Sequence, residues 1–354
     1  MSRLSYIFFC ILVAAMQACS KTEMSPVPQP VELEVPANFP VPPSMPDNPL
    51  TREGIELGRR LFYDKRLSGN NTISCASCHS QSLSFSDGVA LSQIGVSGSI
   101  LHRHAPALLN MAWANNGLFW DGGSTNLESQ AFAPLANRDE MNQELYELVN
   151  ELKAVPDYVN RFREAFNDPE IKTGSIVKAL AQFQRTLIAG QSRYDKFRRQ
   201  EPGATLTVQE REGLQLVQSK CMGCHQGELF TDNRYHNNGI DQDFSDASLE
   251  GLFQGRFRIS YDPADLGSFK TPTLRNVMLT APYMHDGRFA TINAVLDHYS
   301  SGVLSSPSLD PLMKQNGGMP GIPLSNSEKQ SIIAFLKALT DESFISNPRF
   351  SNPH

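Results

Sequence analysis

The chain has 354 residues, with 40% hydrophobic and 19% charged side chains and a formal net charge of −6. That length is enough for two domains of ordinary size, each with its own core. The acidic balance leaves no basic footprint for nucleic acid, while an acidic protein can still dock a basic redox partner through a local patch.

The first twenty residues combine a basic start at Arg3, an apolar run from Ile7 to Ala15 and a small residue, Ala18, directly before Cys19. This predicts an export signal over residues 1–19, too short for a membrane span and ending in polar Ser20 and Lys21. Met16-Gln17-Ala18-Cys19 resembles a bacterial lipobox, in which Cys19 becomes the lipidated first residue; ordinary cleavage is the alternative. Residues 20–50 carry prolines at 26, 28, 30, 36, 40, 42, 43, 46 and 49, which denies them helix and predicts an extended tether.

Regular structure is expected from Thr51, where Ile55, Gly58, Leu61 and Phe62 form a helical stripe running into Cys75-Ala-Ser-Cys78-His79. Further helices are predicted over Gln143–Leu152, Tyr158–Phe166 and Ser175–Ile188, the last with Ile176, Leu180, Phe183 and Leu187 on one face. The pattern then recurs. Thr207 and Glu210 form a capping box, Leu214 and Val217 follow, and Cys221-Met-Gly-Cys224-His225 repeats the first motif. A last capping box, Ser325 to Glu328, opens a helix carrying Ile332, Phe335, Leu336 and Leu339. Leu83-Ser-Phe-Ser-Asp87 follows the first motif and Glu228-Leu-Phe-Thr-Asp232 the second, so the two halves read as a tandem duplication. Strand signals are weak throughout, and Glu-Pro-Gly within Gln200–Ala204 marks the seam.

Cys-x-x-Cys-His is the attachment signature of a c-type haem: both thiols reach the porphyrin vinyl groups, and the imidazole falls beneath the iron. A zinc site would need a compact four-ligand cluster, and a thioredoxin-like pair a βαβ context. A His follows both second cysteines and no strand–helix alternation surrounds either motif. The expectation is two covalent haems, held by Cys75, Cys78 and His79 and by Cys221, Cys224 and His225. Of the six cysteines, the other two, Cys10 and Cys19, lie in the leader.

From about Thr51 to Glu342 the chain resembles the bacterial di-haem cytochrome c peroxidase family, which includes MauG. The resemblance rests on the haem motifs, Leu61-Phe62, Phe119-Trp120-Asp121-Gly122, Glu128-Ser-Gln130 and Glu140-Met141. In the second half it rests on Lys270-Thr-Pro-Thr-Leu-Arg275-Asn276 and Leu279-Thr-Ala-Pro-Tyr-Met-His285-Asp-Gly287. It implies an all-α fold of two tandem cytochrome c-like domains, residues 51–202 with the peroxidatic haem and 203–345 with the electron-transfer haem, followed by a tail, 346–354. It also implies a periplasmic location.

By the same resemblance Glu140 is the acid–base group over the haem of His79, and Trp120 carries charge between the haems. Without it, Glu140 reads as a solvated surface charge and Trp120 as packing; Trp113 takes the core reading. In the peroxidases a distal His lies about sixteen residues after the first proximal His, whereas Gln93-Ile-Gly95-Val-Ser-Gly98 holds none. His102 and His104 lie a little further on; the simpler reading is a first haem with His79 as its only protein ligand. Tyr299 stands where many peroxidases place the distal Met of the second haem, as in MauG-like members. The alternative for Tyr299 is an amphipathic-helix tyrosine with its hydroxyl in water. A calcium ion between the haems would use the Thr280 and Pro282 carbonyls, but His104 occupies the expected Asn position, and imidazole is a poor ligand for a hard cation.

Three functions follow. The first is a periplasmic peroxidase reducing hydrogen peroxide with electrons from a small redox protein such as a cytochrome c or cupredoxin. The second is a MauG-like oxidase of a protein or small-molecule substrate through a high-valent haem state. The third is a non-catalytic electron carrier, for which Glu140 and Trp120 would be superfluous.

Overall fold

The computed structural model describes residues 27–315 and 317–354. The export signal, the Cys19 lipobox and the first residues of the expected tether lie outside the described residues. Among the described residues no helix is long and apolar enough to cross a membrane.

The first half contains α1 (Arg52–Tyr63), α2 (Cys75–Cys78), α3 (Leu127–Gln130), α4 (Phe132–Ala136), α5 (Leu145–Lys153), α6 (Pro156–Phe166) and α7 (Thr173–Arg185). The second contains α8 (Arg193–Arg198), α9 (Val208–Lys220), the short turns α10 (Ser248–Gly251) and α11 (Phe257–Ser260), then α12 (Ile292–Asp297), α13 (Asn326–Ala338) and α14 (Glu342–Ile345). Among the described residues the only sheet is an antiparallel ribbon of β1 (Tyr235–His236) and β2 (Phe269–Lys270), beside a few isolated bridges. The fold is helical, as expected.

Capping explains where the long helices begin. Thr51, Thr207 and Ser325 each accept a backbone N–H of the first turn, from Gly54, Glu210 and Glu328. In α9 and α13 the same glutamates return a bond to the cap residue's N–H, completing the capping boxes.

Each half closes by packing its first long helix on its last, α1 on α7 and α9 on α13, and the contact is made in the same way twice. A Cβ on Gly58 would stand 1.9 Å from the Ala179 carbonyl oxygen and 2.9 Å from Phe183 Cβ. A Cβ on Gly213 would stand 1.9 Å from the Ser331 oxygen and 2.8 Å from Phe335 Cβ. The glycines permit backbone contact between helices, which brings Phe183 and Phe335 onto the aromatic centres of the two cores. Those centres are Phe62, Phe85 and Phe183 in one half and Tyr194, Phe230 and Phe335 in the other.

Three boundaries differ from expectation. Tyr194 on α8 packs into the second core, ahead of the expected seam at 202/203. Phe344 on α14 and Phe350 return to the first core, so the tail is not a free appendage. Beyond α7 and beyond α13 the chain thus places an aromatic in the other core: Tyr194 lies 5.4 Å from Phe230, and Phe344 lies 5.7 Å from Phe85. The proline-rich segment has no helix, but from Val27 it is laid on the body rather than tethering it. Phe39 is buried edge-on against Trp113, whose indole N–H donates to the Pro40 carbonyl at 2.8 Å. Asn48 is buried too and bonds Glu128 and the Lys178 carbonyl. Proline excluded helix here without excluding burial of these side chains.

Replacing Gly58 by Ala should lower stability by about 1–3 kcal/mol, the usual cost of overpacking a tight contact. Gly174→Ala, in the first turn of α7 with nothing within 4 Å of the added methyl, should be neutral or slightly stabilising. Chemical denaturation of both variants checks this; equal midpoints would contradict the close-approach account.

Candidate functional site: two cysteine–histidine cavities

The first motif occupies the single turn α2, with the Ser74 N–H donating to Ser77 Oγ at 3.0 Å and the His79 N–H to the Cys75 carbonyl at 3.0 Å. Cys75 and Cys78 are free thiols, and burial pushes Cys75 up to about 12. His79 Nδ1 lies 2.7 Å from the Phe85 carbonyl oxygen. As donor there, it leaves Nε2 with its lone pair, and burial pushes the ring below its usual value, towards the neutral form a metal requires. Phe85 is fully buried with φ +61°, so a strained turn presents that carbonyl.

Above this imidazole is a cavity of about 70 Å³ whose walls include Phe62, Leu101, Leu108, Pro134 and Glu140. Glu140 is partly buried. Burial pushes its carboxyl upward, opposed by Asn137 Nδ2, which donates to Oε1 at 2.7 Å. Gly95 fixes the approach of this loop, because a Cβ there would stand 1.8 Å from the Asp139 carbonyl, and the Val96 N–H bonds the Glu140 carbonyl at 2.7 Å. Gly95 comes from the stretch that lacks the distal His.

Neither His102 nor His104 lines this cavity. His102 is exposed, and His104 is turned to the Val89 carbonyl, 2.8 Å from Nδ1. Neither is placed as a ligand of the first site in this structure. Gln130 and Pro134 line the cavity and were not singled out as site residues; one helix turn carries Gln130 inward.

The second motif follows α9 directly. The His225 N–H donates to the Cys221 carbonyl at 3.0 Å, and Nδ1 lies 3.2 Å from the carbonyl of Phe230, again fully buried with positive φ. Burial lowers the His225 ring and pushes the Cys221 thiol up to about 11. The adjoining cavity is about 500 Å³ and includes Cys224, His225, Tyr299, Trp120 and Leu312 in its walls. Tyr299 sits on a π-helical turn, His298–Gly302, that continues α12; such a turn is a frequent device for aiming a functional side chain. Burial pushes its phenol up to about 12, so a bound cation is needed to make the phenolate.

Leu108 lines both cavities. Trp120 faces the second and donates its indole N–H to the His104 carbonyl at 2.9 Å. Lys270, on β2, anchors the same point, its N–H donating to the Trp120 carbonyl at 2.7 Å. Trp113 is buried against Phe39, as its core reading required.

Both cavities therefore offer two unpaired cysteines, a neutral imidazole oriented through Nδ1 and apolar walls, a donor set that fits a c-type haem. The zinc reading fails, since no group of three or more His, Cys, Asp or Glu able to hold a metal occurs among the described residues. Thr280 and Pro282 border the second cavity, and His104, at the expected Asn position, is committed to the Val89 carbonyl.

These features define a di-haem c-type cytochrome fold. A family model described as di-haem cytochrome c peroxidase matches residues 52–203. The chain is 38% identical to the methylamine utilization protein MauG of Methylorubrum extorquens over 312 residues, 86% of this chain and 84% of that one. It is 34% identical to cytochrome c551 peroxidase of Nitrosomonas europaea over 309 residues, covering 86% and 85%. The crystal structure of a MauG-like protein associated with microbial copper homeostasis superposes with a TM-score of 0.80 at 38% identity, covering 91% of this chain and 99% of that one. The chain belongs to the di-haem cytochrome c peroxidase and MauG family, a family of oxidoreductases.

Protein produced with c-type haem maturation and carrying Cys75→Ala with Cys78→Ala should hold one covalent haem per chain, against two in the unaltered protein. A pyridine haemochrome assay reads the count. Two haems in the double variant would contradict the attachment assignment.

Proposed function

We propose that this chain is an exported di-haem peroxidase that reduces hydrogen peroxide to two waters, consuming two protons and two electrons from a small redox protein. The observation that carries this reading is Glu140, a partly buried carboxyl brought beside the His79 cavity by the Gly95 contact. When bound, the haem supplies an electrophilic iron for peroxide and a store of redox equivalents. Glu140 takes a proton from the inner peroxide oxygen and returns it to the outer one, which leaves as water. Its raised affinity for protons suits both halves of that transfer. The electrons arrive through the second cavity, with Trp120 as the oxidisable side chain between the two centres, fixed by its bonds to His104 and Lys270.

A second reading is favoured by Tyr299. A phenolate on the second iron stabilises its oxidised states, whereas a thioether would raise the potential and favour a reduced, electron-accepting haem. In a MauG-like oxidase of this kind the electrons come from a protein or small-molecule substrate that is itself oxidised. A mere carrier has no use for an acid–base group at the first site. Export to the periplasm and lipid anchoring through Cys19 belong to this proposal and rest on the leader sequence.

Glu140→Gln should keep both haems and slow the reaction with peroxide by on the order of a hundredfold or more. Trp120→Phe should leave that first reaction intact and delay oxidation of the second haem. Stopped-flow spectra separate the two steps. Unchanged peroxide kinetics in Glu140→Gln would return this residue to a surface charge, and undelayed transfer in Trp120→Phe would leave the indole a packing role.

A further inference from the structure

The two halves differ in what stands just beyond their proximal imidazoles. In the second, Asp232 and Asp310 grip the two nitrogens of His236: Nε2 lies 2.9 Å from Asp232 Oδ2 and Nδ1 lies 2.6 Å from Asp310 Oδ2. Ionised carboxylates only accept hydrogen bonds, so both ring nitrogens carry protons and the ring is an imidazolium. Burial opposes that charge, but the hydrogen bonds to Asp310 and Asp232 raise the ring above its usual value. The assembly is built rather than incidental. The Asp310 N–H donates to the Asn237 carbonyl at 3.1 Å, the other Asp310 oxygen caps Leu312, and the Asp232 N–H donates to the Cys224 carbonyl at 2.9 Å. His236 lines the same cavity as His225 and Tyr299.

In the first half the corresponding carboxylate is Asp87, at the end of the repeated segment. Its Oδ2 is buried without a partner, and the nearest imidazole nitrogen, His104 Nδ1, is 3.8 Å from Oδ1 and bonded to Val89. The duplicated frame thus carries an Asp–imidazolium–Asp clamp on one side only, and the side that has it is the side with Tyr299.

We infer that the clamp of Asp232, His236 and Asp310 is an electrostatic positioning device that holds a net charge of −1 at the edge of the second haem and lowers its reduction potential. The three residues do not ligate the iron; they act through the field at the Cys224 edge, where low exposure leaves them less screened than surface charges. Lys314, exposed to solvent, faces Asp310 and offsets the field weakly. The clamp and a phenolate at Tyr299 work in the same direction, both favouring the oxidised second haem. The inference rests on the reading that Cys221, Cys224 and His225 hold a haem.

The test is spectroelectrochemical titration of the doubly loaded protein. Asp310→Asn removes one negative charge and should move the midpoint of the second haem upward, with the first unchanged. Asp310→Glu keeps the charge and should restore the original midpoint. His236→Gln, which removes the positive charge instead, should move it downward and serves as the second variant if Asp310→Asn does not fold. An Asp310→Asn midpoint equal to that of the unaltered protein, equal shifts in the Asn and Glu variants, or an upward shift in His236→Gln would overturn the clamp. Absence of a second covalent haem from the unaltered protein would instead overturn the haem assignment on which it rests.

Discussion

The ion pair between Asp195 and Arg275 holds together the segments that build the second haem site. Both side chains are almost completely buried, and the guanidinium meets the carboxylate with two bonds of 2.9 Å. Asp195 also accepts from the Ser192 N–H and hydroxyl and from Asn38, while Arg275 Nε donates to the Glu228 carbonyl and the guanidinium lies over Phe39. One pair thereby joins the proline-rich segment, the start of α8, the loop after the second motif and the Lys270–Asn276 segment. Burying two charges is costly unless every polar group finds a partner, and here the partners are present. Burial raises the Asp195 carboxyl, but Arg275, Ser192 and Asn38 overcome it and hold the group below the usual carboxylate range. Glu228 lies two residues before Phe230, whose carbonyl orients His225, so the pair bears on the proximal ligand itself.

Around that anchor the molecule is a frame used twice and finished differently. Asn110 and Asn276 both adopt left-handed backbone, and their side-chain oxygens accept from Ala189 and Asp341 in the strands of chain that cross between halves. Phe85 and Phe230 both present carbonyls to proximal histidines. The distal faces then part. At the same offset from the helix caps Asn126 and Thr291 stand Pro134 and Tyr299, a residue without a donor atom and one with a phenol. The duplicated scaffold thus places a side chain without a donor atom at one cavity and a phenol at the other.

Much of this was legible in the residues. The Cys-x-x-Cys-His pairs, the capping boxes at Thr207 and Ser325 and the stripe on α7 are local signals, and local hydrogen bonding realised them. The repeat after each motif pointed to Phe85 and Phe230, but their contribution is a backbone carbonyl, which no side-chain pattern reveals. Phe39, Tyr194 and Phe344 crossed the expected boundaries because packing between halves, absent from any short window, decides where an aromatic is buried. His104 looked available as a ligand by sequence distance alone; its Nδ1 bond to Val89 directs it elsewhere. Pro134 gave no warning, since its meaning lies in the group it lacks.

The proposed function requires two inequivalent irons, the first open beside Glu140 and the second capped by Tyr299. The most direct measurement is the low-temperature electron paramagnetic resonance spectrum of the resting ferric protein, compared with Tyr299→Phe. One high-spin and one low-spin centre are expected, with only the low-spin signal lost on substitution. Two low-spin centres, or a His/Met or bis-His signal that survives the loss of Tyr299, would contradict it.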